Sequence, residues 1–127
     1  MNLVDTSGWI EYFFGGPNAS FFAKPIEDTE NLIVSVICMY EVFNKVNHVA
    51  DETRALRVIA QMRQGRVIEL SEELALHAAY ASLRHRLPMA DSFIYATGQL
   101  EGADIWTQDV DFKGLPGVRY KESRTTA

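Results

Sequence analysis

The sequence predicts an α/β fold in which a short, mostly parallel sheet of four to five strands is flanked by helices. Three observations carry this. Brief apolar runs alternate with longer stretches whose apolar residues recur at three- and four-residue spacing. Gly and Pro punctuate the boundaries between them. With 127 residues, 47% of them hydrophobic and 23% charged, the chain suits one domain with its own core and needs no disulfide or structural metal.

Asn2-Leu3-Val4 is the first strand. Thr6 to Phe14 follows as a helix, stopped by Gly15-Gly16-Pro17. Asn18 suits the N-cap of a second helix, which Pro25 would shorten or kink. Leu32-Ile33-Val34 is the second strand. Val36 to Val49 reads as a helix with Met39, Phe43 and Val46 at helical spacing, while Ile37, Glu41, Asn44 and His48 share the opposite face. Asp51 caps a helix running to Gly65, a residue suited to the position just past a helix end. Arg66 to Leu70 is the third strand. Ser71 opens a helix bearing Leu74, Ala78 and Ala81, along which Leu76, Tyr80, Leu83 and Leu87 form an apolar stripe. Pro88 breaks it, and Met89, Phe93, Ala96 and Leu100 form the stripe of the next helix, ended by Gly102. Ile105-Trp106-Thr107 is the fourth strand and Gly117 to Tyr120 a short fifth. The polar tail, residues 121–127, is expected to fray.

Composition narrows the function classes. The net charge of −5 excludes a strongly basic surface for sequence-independent nucleic-acid binding, but leaves room for a nucleic-acid enzyme whose acids hold metal. Cys38 is the one cysteine, so no intrachain disulfide forms; it reads as a small core hydrophobe and suits a reducing cytoplasm. Asp5 interrupts the apolar start, which argues against a signal peptide. No apolar run reaches the roughly 18 residues of a membrane span. His48, His77 and His85 have no zinc-site spacing around them.

Four carboxylates stand in suggestive places. Asp5 follows the first strand, Asp109 follows the fourth, Asp91 lies in the first turn of the helix after Pro88, and Glu41 lies within the helix after the second strand. Each has an ordinary explanation. Asp5 would cap a helix, Asp91 would complement a helix dipole, Asp109 would make an Asx-turn and Glu41 would be solvated. Together they fall where the carboxyl ends of parallel strands converge on one rim. Crowded carboxylates repel, so a fold keeps such a cluster most readily when cations occupy it. All-oxygen ligands point to Mg²⁺ or Mn²⁺, and the chemistry such a site serves best is phosphodiester hydrolysis.

The chain resembles the PIN-domain ribonucleases, and within them the VapC-type toxins of toxin–antitoxin pairs. The likeness rests on Val4-Asp5-Thr6-Ser7, on Ser35 with Glu41, on Leu87-Pro88-Met89-Ala90-Asp91-Ser92-Phe93-Ile94-Tyr95-Ala96, and on Trp106-Thr107-Gln108-Asp109-Val110-Asp111-Phe112. Their order and spacing cover Met1 to about Tyr120. The resemblance implies a PIN-like three-layer fold over residues 1–127 and a Mg²⁺- or Mn²⁺-dependent endoribonuclease leaving 5′-phosphate and 3′-hydroxyl ends. The family's metal-binding acids fall on Asp5, Glu41, Asp91 and Asp109. Asp111 is the lesser ligand, because the second Asp before Phe112 varies in role. Thr6, Ser7 and Thr107 are expected to orient the carboxylates by hydrogen bonds.

Arg84 and Arg86 flank His85 just before the Asp91 loop and are expected to contact RNA phosphates; Arg54, Arg57, Arg63 and Arg66 form a second basic segment, as readily a solvated face. Six aromatics, Trp9, Tyr12, Phe13, Phe14, Phe21 and Phe22, crowd the first 22 residues. One short helix cannot point them all at one core, so an exposed aromatic patch including Trp9, Phe13 and Phe14 is expected. The resemblance implies a homodimer and a cognate antitoxin laid over these helices. Two rival classes stand beside this reading. A receiver or dehalogenase-like phosphoryl-transfer domain also carries acids at strand ends, but Asp5 is followed by Thr6-Ser7 rather than by x-Asp, and Lys113 is poorly placed for a receiver. A non-catalytic module on the same fold would not need all four acids.

Overall fold

In a computed structural model, residues 1–124 are described. Five strands form one sheet: β1 (Asn2–Val4), β2 (Leu32–Ser35), β3 (Arg66–Ile68), β4 (Asp104–Thr107) and β5 (Val118–Tyr120). Their order is β3-β2-β1-β4-β5, and every neighbouring pair is parallel. Six helices connect them: α1 (Thr6–Phe13), α2 (Ala19–Glu27), α3 (Val36–Val49), α4 (Glu52–Met62), α5 (Glu72–His85) and α6 (Met89–Leu100). Leu3 stands opposite Ile33 on one side and Ile105 on the other. All four residues of β2 are buried, as in a parallel strand covered on both faces.

The chain runs outward from β1 through β2 to β3, then returns to place β4 on the other side of β1. The strand order therefore reverses between β1 and β4, and the crevice beyond their carboxyl ends is where such sheets bind ligands.

Local signals act as expected at several ends. Asp51 Oδ1 accepts from the Arg54 N–H at 2.8 Å, and Ser71 Oγ from the Leu74 N–H at 3.1 Å. Pro25 does not stop α2, which runs on to Glu27. Asn18 and Asp5 occupy N-cap positions, but neither side chain makes the capping bond.

Two expectations about helix faces are corrected. On α5 the stripe points outward: Leu76 is 58%, Tyr80 74% and Leu83 80% exposed, and only Leu87, beyond the helix, is buried. The helix instead buries Leu74 and Ala78 against Ala96 and Phe93 of α6. Short side chains at Ala78 and Ala96 let the two backbones approach, and that contact turns the bulky row to solvent. Met89 is turned outward too. Close approach recurs where α6 meets the sheet: a Cβ on Gly98 would lie 2.6 Å from Ile105 Cδ1, so glycine lets the helix seat. On α3 the fully buried row is Cys38, Val42 and Val46, with Met39 and Phe43 only partly covered.

Of the tail expected to fray, residues 121–124 lie against the start of α2. Asn18 Nδ2 donates to the Glu122 carbonyl at 2.9 Å, and Arg124 Nη2 donates to the Pro17 carbonyl at 3.2 Å. Residues 125–127 fall outside the described residues.

Candidate metal centre

Asp5 leaves β1 with its N–H donated to the Trp106 carbonyl at 3.0 Å, which stitches it to β4. Its carboxylate is 2% exposed. Oδ2 accepts from Ser7 Oγ at 2.6 Å and from Thr107 Oγ1 at 2.5 Å. Burial pushes the carboxyl up to about 6; the two hydroxyls pull the other way, and the charge of Asp109 adds to the rise.

Thr107 ends β4 and organises the next turn as well. Its Oγ1 accepts from the Asp109 N–H at 2.9 Å. Asp109 Oδ1 in turn accepts from the Asp111 N–H at 2.9 Å, the Asx-turn its position suggests. This turn folds Asp111 back beside Asp109. Asp91 arrives from the first turn of α6, and one carboxylate oxygen from each of Asp91, Asp109 and Asp111 lies within 4.8 Å of the others. Asp111, expected as the lesser ligand, is thus one of the three that meet. Asp5 and Glu41 stand beside that group rather than in it. Glu41 is fixed by Thr6 Oγ1, which donates to its Oε1 at 2.6 Å.

All five acids nevertheless share one field. Half-buried Asp91 is pushed up to about 7, first by loss of solvent and then by the negative charges of Asp109, Asp5, Glu41 and Asp111. The donor set is carboxylate oxygen only, which fits a hard divalent cation such as Mg²⁺ or Mn²⁺. A cation among these groups would favour the ionised forms that burial and mutual repulsion oppose.

The other expected residues divide. Arg84, in the last turn of α5, and Arg86, just past its end, are exposed, and Arg86 has φ 56°, the left-handed region bulky residues seldom adopt. Arg66 pairs with Glu101 at 3.0 Å. Arg54 and Arg57 line a groove of about 330 Å³ with Phe13, Phe14, Val46 and Val58. The aromatic patch is smaller than expected. Trp9 is fully buried and stacked on Phe13, with ring centroids 5.6 Å apart, because α1 rests on the core through Gly8 and Trp9. Phe14 is 47% exposed.

One connection had no motif to announce it. Asn18, 1% exposed, donates from Nδ2 to Gln108 Oε1 at 3.0 Å, and the Gln108 N–H donates to Ser7 Oγ at 3.2 Å. The helix-cap pattern drew attention to Asn18 for another reason, and a lone Gln between Thr107 and Asp109 carries no pattern.

Several solved structures share this architecture. A toxin–antitoxin complex from Klebsiella pneumoniae aligns at 26% identity and TM-score 0.78, over 94% of this chain and 96% of that one. VapC20 from Mycobacterium tuberculosis, described as a sarcin–ricin loop cleaving toxin, aligns at 18% identity and TM-score 0.75, over 91% and 95%. A DNA-bound VapBC from Salmonella typhimurium aligns at 16% identity and TM-score 0.72, over 96% and 98%. No curated protein matches the sequence significantly. The family model described as the PIN domain matches residues 3–118, a span that holds Asp5, Glu41, Asp91, Asp109 and Asp111 and most of the sheet. By that match, the chain belongs to the PIN domain family.

Proposed function

We propose that the chain is a divalent-metal-dependent endoribonuclease and the toxin of a toxin–antitoxin pair. The observation that carries this is the convergence on Asp91 of four further carboxylates at the reversal point of the sheet. Bound Mg²⁺ or Mn²⁺ would activate water and offset charge on the scissile phosphodiester, so that hydrolysis leaves 5′-phosphate and 3′-hydroxyl ends. Asp91, Asp109 and Asp111 supply ligand oxygens, and Asp5 and Glu41 complete the set. Ser7 and Thr107 both bond Asp5 Oδ2, which leaves Oδ1 for a ligand. Thr6 holds Glu41 in the same way. Arg84 and Arg86 are assigned to phosphates of the RNA.

The groove beside Phe14 suits the antitoxin, and Arg54 and Arg57 in its lining favour an acidic or carboxylate-bearing segment there. The outward row Leu76, Tyr80 and Leu83 suits a homodimer contact. Among the described residues no helix is long and apolar enough to cross a membrane. The free, buried thiol of Cys38 suits a reducing compartment, and on that ground we assign the chain to the cytoplasm.

The test is incubation of the purified chain with RNA in Mg²⁺, Mn²⁺ or EDTA, with acetyl phosphate as a separate arm. Cleavage is expected with metal and not with EDTA. Asp5→Asn, Glu41→Gln, Asp91→Asn and Asp109→Asn should each lower the rate by more than the roughly 10–100-fold typical of an outer-sphere loss. Acetyl phosphate labelling of Asp5 without RNA cleavage would place the chain among phosphoryl-transfer domains instead.

A further inference from the structure

Three cations of this acidic chain converge where no motif marks them. A cavity of about 220 Å³ lies between the start of α2 and residues 121–124, and its lining includes Asn18, Ser20, Phe21, Lys24, Lys121 and Arg124 but no acid. The ion pairs among the described residues are Arg66–Glu101 and Arg119–Asp104, so none of these three cations is neutralised there by a carboxylate. Two of them are held in place by the fold. Arg124 Nη2 donates to the Pro17 carbonyl at 3.2 Å and to Asn18 Oδ1 at 3.3 Å. Lys121 Nζ sits 6.0 Å from the centroid of the Phe21 ring.

The pocket adjoins the acidic crevice. Asn18, part of its lining, is bonded to Gln108, which is bonded to Ser7, which donates to Asp5. Gln108 also directly precedes Asp109 in the chain. Like charges gathered without counter-charge repel one another, and an anion seated among them relieves that repulsion. The crevice itself is negative and offers a polyanion nothing until metal is bound. A strand crossing it needs cations close by, and this pocket supplies three, of which Arg124 is bonded through Asn18 into the same network.

We propose that this pocket is a phosphate-binding subsite that holds a backbone phosphate of the RNA strand next to the scissile one. The inference rests on the nuclease reading of the acidic crevice. Lys24 and Lys121 act as point charges, Arg124 offers the guanidinium N–H groups not spent on Pro17 and Asn18, and the Ser20 hydroxyl adds a neutral donor. No group in this set reads a base edge, so the contribution is independent of sequence and sensitive to salt.

The experiment measures binding of a labelled single-stranded RNA by fluorescence anisotropy in EDTA over a series of salt concentrations. Wild type is compared with Lys24→Gln, Lys121→Gln, Arg124→Gln, the triple variant and Lys24→Arg. Each Gln variant is expected to weaken binding several-fold and to lower the slope of log K against log salt by about 0.7. Lys24→Arg should restore both. In steady-state cleavage of the same RNA, KM should rise while kcat holds. The melting temperature gained on adding Mn²⁺ should not change, since no acid is touched; melts also confirm that each variant is folded. Wild-type binding too weak to measure at low salt, or a folded triple variant that binds like wild type at every salt, overturns the subsite. RNA cleaved with unchanged KM by the triple variant removes the subsite and leaves the nuclease reading standing. Pocket-dependent binding with no cleavage in Mn²⁺ does the reverse.

Discussion

Thr107 and Asp5 meet across the seam between the two central strands, with the Thr107 hydroxyl donating to Asp5 Oδ2 at 2.5 Å. Thr107 Oγ1 itself accepts the Asp109 N–H at 2.9 Å. One hydroxyl thus positions a buried carboxylate and starts the turn that brings in two more.

Thr107→Val keeps the shape and removes both bonds. Asp5 loses one of the donors that hold its carboxyl down, so its pKa should rise beyond about 6. Mn²⁺ affinity, by calorimetry, should fall about 10–100-fold. An unchanged affinity would make the bond purely structural.

Asp91 links metal to stability. Its folded pKa, about 7, lies above the ordinary value of 3.8, so between those pH values the folded chain holds a proton that the unfolded chain releases. Metal-free stability from this group is therefore greatest at low pH and is lost as pH rises through about 7. Asp91→Asn removes the loss. At pH 8 in EDTA it should be more stable than wild type by order of 1 kcal/mol, a figure already reduced for the half-exposed position. The gap should close as pH falls toward 4, and the variant should gain less from Mn²⁺. Melts of both proteins across pH check this; a lower-melting variant with an undiminished metal gain would make Asp91 a structural residue of the α6 terminus.

Trp9 and Phe14 should behave in opposite ways. Trp9→Ala empties a fully buried site and should cost about 3–5 kcal/mol in denaturant unfolding. Phe14→Ala should leave stability within about 0.5 kcal/mol and weaken antitoxin binding. Unaltered affinity of Phe14→Ala would move the antitoxin away from this groove.

Leu83, 80% exposed on α5, tests the dimer. Leu83→Glu should leave the melting curve nearly unchanged and shift the sedimentation profile toward monomer. A wild-type chain that sediments as a monomer at every concentration would exclude this contact.

The strands, the helices and four of the acids were legible in the sequence because each depends on neighbours close along the chain. An apolar run bounded by Gly or Pro makes a strand, Ser71 and Asp51 cap the residues that follow them, and an acid after β1 or β4 stands at a carboxyl end wherever the sheet is placed. The parallel alternation then requires those ends to share a rim. Periodicity also names a helix face, but it does not say what that face will meet. Ala78 and Ala96 decided that α5 would pack through its small residues, which sent Leu76, Tyr80 and Leu83 outward, while the seating of α1 took Trp9 inward. Asp111 joined Asp91 because an Asx-turn folded it toward a helix twenty residues earlier in the chain. Asn18 met Glu122 across 104 positions. Such pairings depend on packing between distant segments, on side-chain volume and close approach of backbones, and only the tertiary structure decides them.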